Sequence, residues 1–321
     1  MDPVIVIPDG ITAIVDISIR RETNEGVGSD RVFFPVQINP GFPLDKQNKV
    51  VWNSALMLDI TWFWVVGIMP AAVDVYHDDK KTKEVSDMVW EIREYGAVDD
   101  GRTVNTAVIQ NTIDRCHQAG GGTVLIEGGV YLCGTIFLRS NVTLEIAQGT
   151  VLKANPDISD YAENTHHNRY RNEEALDRCF LYGEDLENIG ICGKGRIEGS
   201  SEAFPNKGNI YRPMLIRFLR CRQIHIEDIR LCDAAAWTTA FLDSEYIWIS
   251  KVYIHNEKRY NGDGLDFDGC AHVFIDNCSI TGTDDNLCLQ SSSKEYPVKD
   301  IHISNCEFTS LCAGIRIGLK S

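Results

Sequence analysis

Short apolar cores of the form apolar–x–apolar recur along the chain at Ile189–Ile191, Ile224–Ile226, Ile247–Ile249, Val273–Ile275 and Ile301–Ile303. The last four begin 23, 26 and 28 residues apart. Alternation inside each core is the period of a strand with one face turned inward. Recurrence at a near-constant spacing is the signature of a solenoid, in which each coil buries that face against its neighbours. A βαβ fold would need a crossover of about a dozen residues or more, usually a helix, between successive strands, and the intervals show no such pattern. The pattern therefore predicts an all-β architecture, a right-handed parallel β-helix from about residue 120 onward.

Upstream the pattern changes. Residues 105–118 place Val108, Ile109, Ile113 and Cys116 at helical spacing, with Asn105 or Thr106 as N-cap and Gly120 as the stop. One amphipathic helix ahead of many short strands is what a β-helix needs to cover its N-terminal end. Residues 1–88 read as a separate β-rich accessory region. VIVIPDG, AIVDISI and RVFFPVQI are strand-like between turn residues, and Tyr76–Asp87 is a charged linker. The apolar run Leu56–Val73 is interrupted by Asp59 and closed by Pro70, which makes it too short for a membrane span and suits it to a buried surface. Its place in sequence puts this region at the N-terminal end of the β-helix domain, residues 89–321.

Charge narrows the partners. Asp and Glu total 46 against 31 Lys and Arg, for a net charge of −15. Such a field disfavours nucleic acid and anionic membranes, and a polyanionic substrate would need a local basic patch. The eleven cysteines include no pair or Cys/His cluster at zinc spacing, so neither a metal nor a cofactor is expected. Cys192, Cys278 and Cys306 each follow a strand core, which predicts thiols stacked inside the coils rather than disulfides. The start MDPVIVIPDG lacks a basic then apolar leader, so the chain as given reads as cytoplasmic, and as secreted if its start has been trimmed.

The richest stretch is Asn261–Gln290, NGDGLDFDGCAHVFIDNCSITGTDDNLCLQ. Asp263 and Asp284 stand 21 residues apart, about one coil, which would stack their carboxylates on one wall. Crowded carboxylates are costly unless they bind a cation or do acid–base chemistry. Adjacent strand residues face opposite ways, so the chain must bend at Gly282–Thr283 for both Asp284 and Asp285 to reach one cleft. Asn277 and Asn305 hold equivalent turn positions, as in a stacked asparagine ladder.

Residues 89–321 resemble glycoside hydrolase family 28, the polygalacturonases and their relatives. YGAVDDGRTVNTAVIQNTID is similar to the family's opening segment, and RCFLYGEDLENIGICGKGRIEG to its G-x-G-x-I-x-G coil. NGDGLDF is similar to the N-T-D motif, and GTDD to the G/Q-D-D motif. The resemblance implies inverting hydrolysis of bonds between uronic acids in a pectin-type polysaccharide, with Asp284 as general acid and Asp263 and Asp285 holding and deprotonating the water. It also places Cys312, in SLCAGIRIG, where the family's G-H-G motif has histidine, with His302 outward on another wall. The family's carboxylate-binding R-I-K would lie one coil past Ser321, so rhamnogalacturonan or another branched glycan is an equally open substrate.

Further positions are assigned to substrate binding with a plain structural alternative beside each. Asn261 opens the first motif. Asp266 shares a strand face with Asp268 and not with Asp263, and either supports the site or is only structural. Arg316 turns to the cleft or stays outward. Trp237 lies one coil before Asp263 and stacks on a sugar or packs. His167, with His166, Arg169, Tyr170 and Arg171, belongs to a long insertion that walls a cleft or is solvated. Two other functions compete: a β-helical lyase or epimerase, disfavoured by the lack of Lys or Arg within the two motifs, and a catalytically incomplete glycan-binding β-helix. A final strand edge at GIRIG without a cap predicts self-association through the C-terminal coil.

Overall fold

The computed structural model describes residues 13–23, 26–36, 88–165, 176–206 and 209–318. From Val89 onward it is a parallel β-helix whose coils contribute one strand to each of three sheets. The first sheet stacks Gly122–Ile126, Val142–Ile146, Glu187–Cys192, Arg222–Glu227, Glu245–Ser250 and Ala271–Asp276. The second stacks Val130–Cys133, Val151–Ala154, Arg196–Glu198, Arg230–Cys232, Tyr253–Asn256 and Ser279–Gly282. The long strand Lys299–Ser310 continues both. The third runs from Ile136–Phe137 through Cys179–Glu184, Met214–Leu219, Thr239–Leu242, Leu265–Asp268 and Leu287–Gln290 to Ile315–Ile317.

The predicted apolar cores are the interior columns of the first sheet. Ile189, Ile224, Ile247, Val273 and Ile301 pair in register, and so do Ile191, Ile226, Ile249, Ile275 and Ile303, all buried. On the third sheet the interior column is aromatic. Phe218, Phe241 and Phe267 stack with ring centroids 5.6 and 4.9 Å apart. Phe241, fully buried between two rings, carries the first expected result. Phe241→Ala should lower unfolding free energy by about 3–5 kcal/mol, read as a shift in the denaturant midpoint.

Corners are made by left-handed residues in vertical columns. Asn141, Asn188, Gln223, Tyr246, His272 and Asp300 all have φ between 53 and 65° and stack coil on coil. Asn and Asp tolerate this region best among non-glycine residues. The asparagine rung forms here, where Asn188 Nδ2 donates to Asn141 Oδ1 at 3.1 Å. Asn277 and Asn305 do stack at the next corner, but both amides turn to Asp276 instead of to each other. Cys278 and Cys306 are buried thiols one coil apart, as expected. Cys192 is only partly buried and pairs in register with Glu145 and Glu227, so it stands outside that stack.

The helix is Thr106–Gln118, and its buried face is Ile109, Thr112, Ile113 and Cys116. Thr112 takes the inward place expected for Val108, because its hydroxyl is satisfied on the Val108 carbonyl at 2.9 Å. These residues join the same core as Val124 and Ile126, so the helix closes the first coil. Asn105 precedes it but bonds Val98 and Thr103 rather than the helix N–H groups.

Upstream, Ala13–Thr23 and Gly26–Val36 form an antiparallel hairpin. Its first strand pairs in parallel with the last strand of the first sheet, Ala13 opposite Ile301 and Val15 opposite Ile303. The hairpin thus lies at the C-terminal coil, not at the N-terminal end that sequence order suggested. VIVIPDG, the run Leu56–Val73 and the linker Tyr76–Asp87 fall outside the described residues. Among the described residues no helix is long and apolar enough to cross a membrane.

Candidate active site

Two columns on the outer side of the third sheet build the site. In the strands, Leu265, Phe267, Leu287 and Leu289 point into the core, so the residues between them face out. Ala240, Asp266, Cys288 and Arg316 are consecutive rungs of that outward column. Just ahead of the strands, backbone bonds carry the ladder into the turns. Thr238 N donates to Asp263 O at 3.0 Å, Gly264 N to Asp285 O at 2.9 Å, and Asn286 N to Ala313 O at 2.9 Å. The second column is therefore Trp237, Asp263, Asp285, Ala313. Asp263 lies over Asp285, one residue further on than the spacing to Asp284 implied. Asp284 sits beside this rung, in the bend that follows Gly282, and its Oδ1 accepts the Asp285 N–H at 3.0 Å.

Glycine makes the stacking of these turns feasible. A Cβ on Gly264 would fall 2.3 Å from the Asn286 carbonyl oxygen and 2.7 Å from Ile280 Cγ2. Around it the polar side chains tie turn to turn. Thr238 Oγ1 donates to the Asp263 carbonyl at 2.6 Å and receives the Asn256 amide. Asn286 Nδ2 donates to Ile280 O at 3.0 Å and Thr309 O at 2.7 Å. Thr283 Oγ1 accepts Gly262 N–H at 3.1 Å and donates to the Arg259 carbonyl.

The electrostatics follow from burial. Asp263, Asp266 and Asp285 are 5%, 3% and 2% exposed. Burial, and then the charges of Asp263, Asp285 and Asp284, push the Asp266 carboxyl well above the usual carboxylate range. Parity had set Asp266 apart from Asp263. The turn at Gly264 re-aims the chain and brings Asp266 into the cluster, while Asp268 is tied to Ser292 N at 2.8 Å and to its hydroxyl. Asp285 is also pushed up by burial, against the pull of Arg316, whose Nη1 stands 2.7 Å from Asp285 Oδ2. Arg316 thus turns inward to the carboxylates. A lyase reading had been disfavoured for want of a basic residue, and here one enters the cluster from the following coil.

Cys312 reaches the same place. Its Sγ and one oxygen each of Asp284 and Asp285 lie within 4.8 Å of one another, the one grouping of metal-ligand type among the described residues. Arg316 Nη2 is 3.6 Å from that sulfur, which places a guanidinium at this grouping. Burial and the charges of Asp285 and Asp284 lift the Cys312 thiol to about 11, which keeps it protonated. His302 stacks on Phe274 at 4.9 Å and bonds Asp300 at 2.8 Å on the outside of the first sheet, away from the carboxylates.

Of the remaining candidates, Asn261 begins the turn in the left-handed region, with φ 55°. Trp237 is 5% exposed and packs in a small cluster with Leu176, Cys179, Tyr182 and Met214, so its ring is not laid open to a sugar. His167 and its basic neighbours fall outside the described residues. Residues 257–264 also depend on two arginines that the sequence pattern did not single out. Arg212, fully buried, donates from Nη1 to Ala235 O and Tyr260 O, both at 2.9 Å. Arg259 Nε donates to Ser201 O at 3.0 Å. An arginine inside the apolar run IYRPMLIRF was the only hint of the first.

Comparison with known proteins agrees with this geometry. The chain matches the glycosyl hydrolases family 28 over residues 135–319. It is 27% identical over 219 residues to a probable polygalacturonase of Vitis vinifera, covering 64% of this chain and 45% of that protein. It is 24% identical over 270 residues to the exo-poly-alpha-D-galacturonosidase of Dickeya chrysanthemi, covering 67% and 44%. The chain thus spans about half the length of these curated relatives. Among solved structures, the hyperthermoactive exopolygalacturonase of Thermotoga maritima shares the fold, with a TM-score of 0.61 at 24% identity over 72% of this chain and 63% of that one. The matched residues hold the whole acidic cluster, from Asp263 to Arg316, and the chain belongs to glycosyl hydrolase family 28.

Proposed function

We propose that the chain hydrolyses glycosidic bonds in a pectin-type polysaccharide, by acid–base catalysis that inverts the anomeric centre. The observation that carries this reading is the rung of Asp263 over Asp285 with Asp284 beside it, three carboxylates held at one wall by rigid turns. Inverting hydrolysis asks for one carboxyl that protonates the leaving oxygen and another that deprotonates a water on the opposite face. Asp284, at the solvent side of the rung and half-buried, takes the acid role. Asp263 and Asp285 hold and deprotonate the water, with Arg316 helping to keep Asp285 ionised. Homogalacturonan and rhamnogalacturonan both fit this chemistry.

Incubation with polygalacturonate and with rhamnogalacturonan separates the readings, provided reducing ends and absorbance at about 235 nm, where a conjugated uronate absorbs, are followed together. New reducing ends without absorbance are the expected result. Both signals together would mean elimination, for which Arg316 in the cluster would be the basic group. Neither signal, with retained binding, would leave a glycan-binding β-helix.

A further inference from the structure

We infer that Tyr260 is a stacking platform for a pyranose ring of the substrate, beside Asp263 at the lip of the acidic wall. This rests on the glycan-hydrolase reading above and names a binding surface for it. Tyr260 is 45% exposed, yet its position is fixed from beneath. The guanidinium carbon of the fully buried Arg212 lies 3.8 Å from the centroid of its ring. The same Arg212 binds the Tyr260 carbonyl and the Ala235 carbonyl, so ring and backbone are held by one buried group. One ring face is covered by the cation and the ring remains open to solvent elsewhere.

Nothing in the core requires an aromatic here, since the ring is neither in the interior columns nor in the small cluster around Trp237. Two residues of chain, Asn261 and Gly262, separate it from the Asp263 carboxylate it serves. The turn is pinned at Arg259, whose Nε donates to Ser201 O and whose carbonyl accepts from Thr283 Oγ1 of the next coil. An aromatic face held rigid before the ligand arrives loses little freedom on binding, and the C–H face of a sugar ring is the apolar surface it fits. Arg259 Nη2 donates to the Phe204 carbonyl at 3.3 Å, and Phe204, with Ile158, Pro205 and Tyr211, lines a groove of about 450 Å³.

The test measures binding by calorimetry in the Asp284→Asn variant of this chain, using oligogalacturonates and rhamnogalacturonan oligosaccharides as probes. Tyr260→Ala and Tyr260→Leu should each weaken binding about tenfold, while Tyr260→Phe and Tyr260→Trp, which keep a ring over Arg212, should bind within about twofold of the parent. Thermal unfolding of each variant shows whether it is folded, and Tyr260→Phe keeps the test decisive should the smaller residues fail. If Tyr260→Phe loses affinity like alanine, the hydroxyl and not the ring face is the contact, and the platform is overturned. Equal binding by the folded Tyr260→Leu variant overturns it as well, with the substrate class intact. A parent chain that binds neither probe overturns the substrate class and the platform with it.

Discussion

Asp284→Asn is expected to lower turnover of a pectin-type oligosaccharide by about 10²–10⁴-fold, the usual worth of a positioned general acid. The amide keeps the shape of the carboxyl and still accepts the Asp285 N–H, so circular dichroism and the unfolding midpoint should not move. The loss should shrink on an aryl glycoside with a good leaving group, because such a group departs without a proton. Asp285→Asn, by contrast, should lose activity equally on both substrates. If the aryl substrate rescues Asp285→Asn and not Asp284→Asn, the two carboxyls exchange roles. That exchange is a real contest, because burial pushes Asp285 upward while Arg316 pulls it down.

Asp266→Asn should make the protein more stable at neutral and alkaline pH, by about 1–3 kcal/mol. The amide carries no charge to be desolvated among the other carboxylates, and one pKa unit is worth about 1.4 kcal/mol. One Asp266 oxygen is buried with no hydrogen-bond partner, and three carboxylates surround it. The sign follows from linkage. A carboxyl whose folded value lies above its unfolded one holds its proton longer in the folded chain. Its favourable contribution is complete below the unfolded value, near pH 4, and is lost as pH rises through the folded value. Urea unfolding at pH 4.5 and at pH 8 (settings chosen to bracket that window) should therefore show the variant's advantage growing with pH. Parallel stability curves for the two proteins would mean that Asp266 is not held protonated by the fold. A stabilising change at an outward position beside the acid would mark Asp266 as kept for function.

The solenoid could be read directly because an interior column requires the same apolar–x–apolar pattern in every coil. Ile224, Ile247, Val273 and Ile301 each had to supply a buried rung. The turns resisted the same reading. Their lengths vary, so counting 21 residues from Asp263 reached Asp284, whereas the backbone ladder selects Asp285. The parity rule failed for Asp266 for the same reason, since Asp263 lies before the strand begins and Gly264 breaks the alternation. Trp237 was placed at the right rung, but whether it stacks on a ligand or packs depends on residues far along the chain, Leu176 and Met214 among them. Arg212 and Arg259 belong to no periodic pattern. The hydrogen bonds described above go to backbone carbonyls, which carry no sequence signal at all. The position of the Ala13–Thr23 hairpin against Ile301–Ile303 is likewise a contact across almost the whole chain, which local pattern does not encode.

The turns that form the cluster, 257–264, 283–286 and 311–314, belong to three successive coils. In a stack where each coil touches only its neighbours, structure propagates outward from wherever it starts, and contacts close in sequence form fastest. If the helix-capped end docks first, Asp263 and Asp266 are in place before Asp285 settles over them, and Arg316 arrives last. For that interval the nascent stack carries its crowded carboxylates without their nearest cation. Under that order the coil that carries Arg316 completes the site, and until it docks only protons can relieve the crowding, which alkaline conditions withhold.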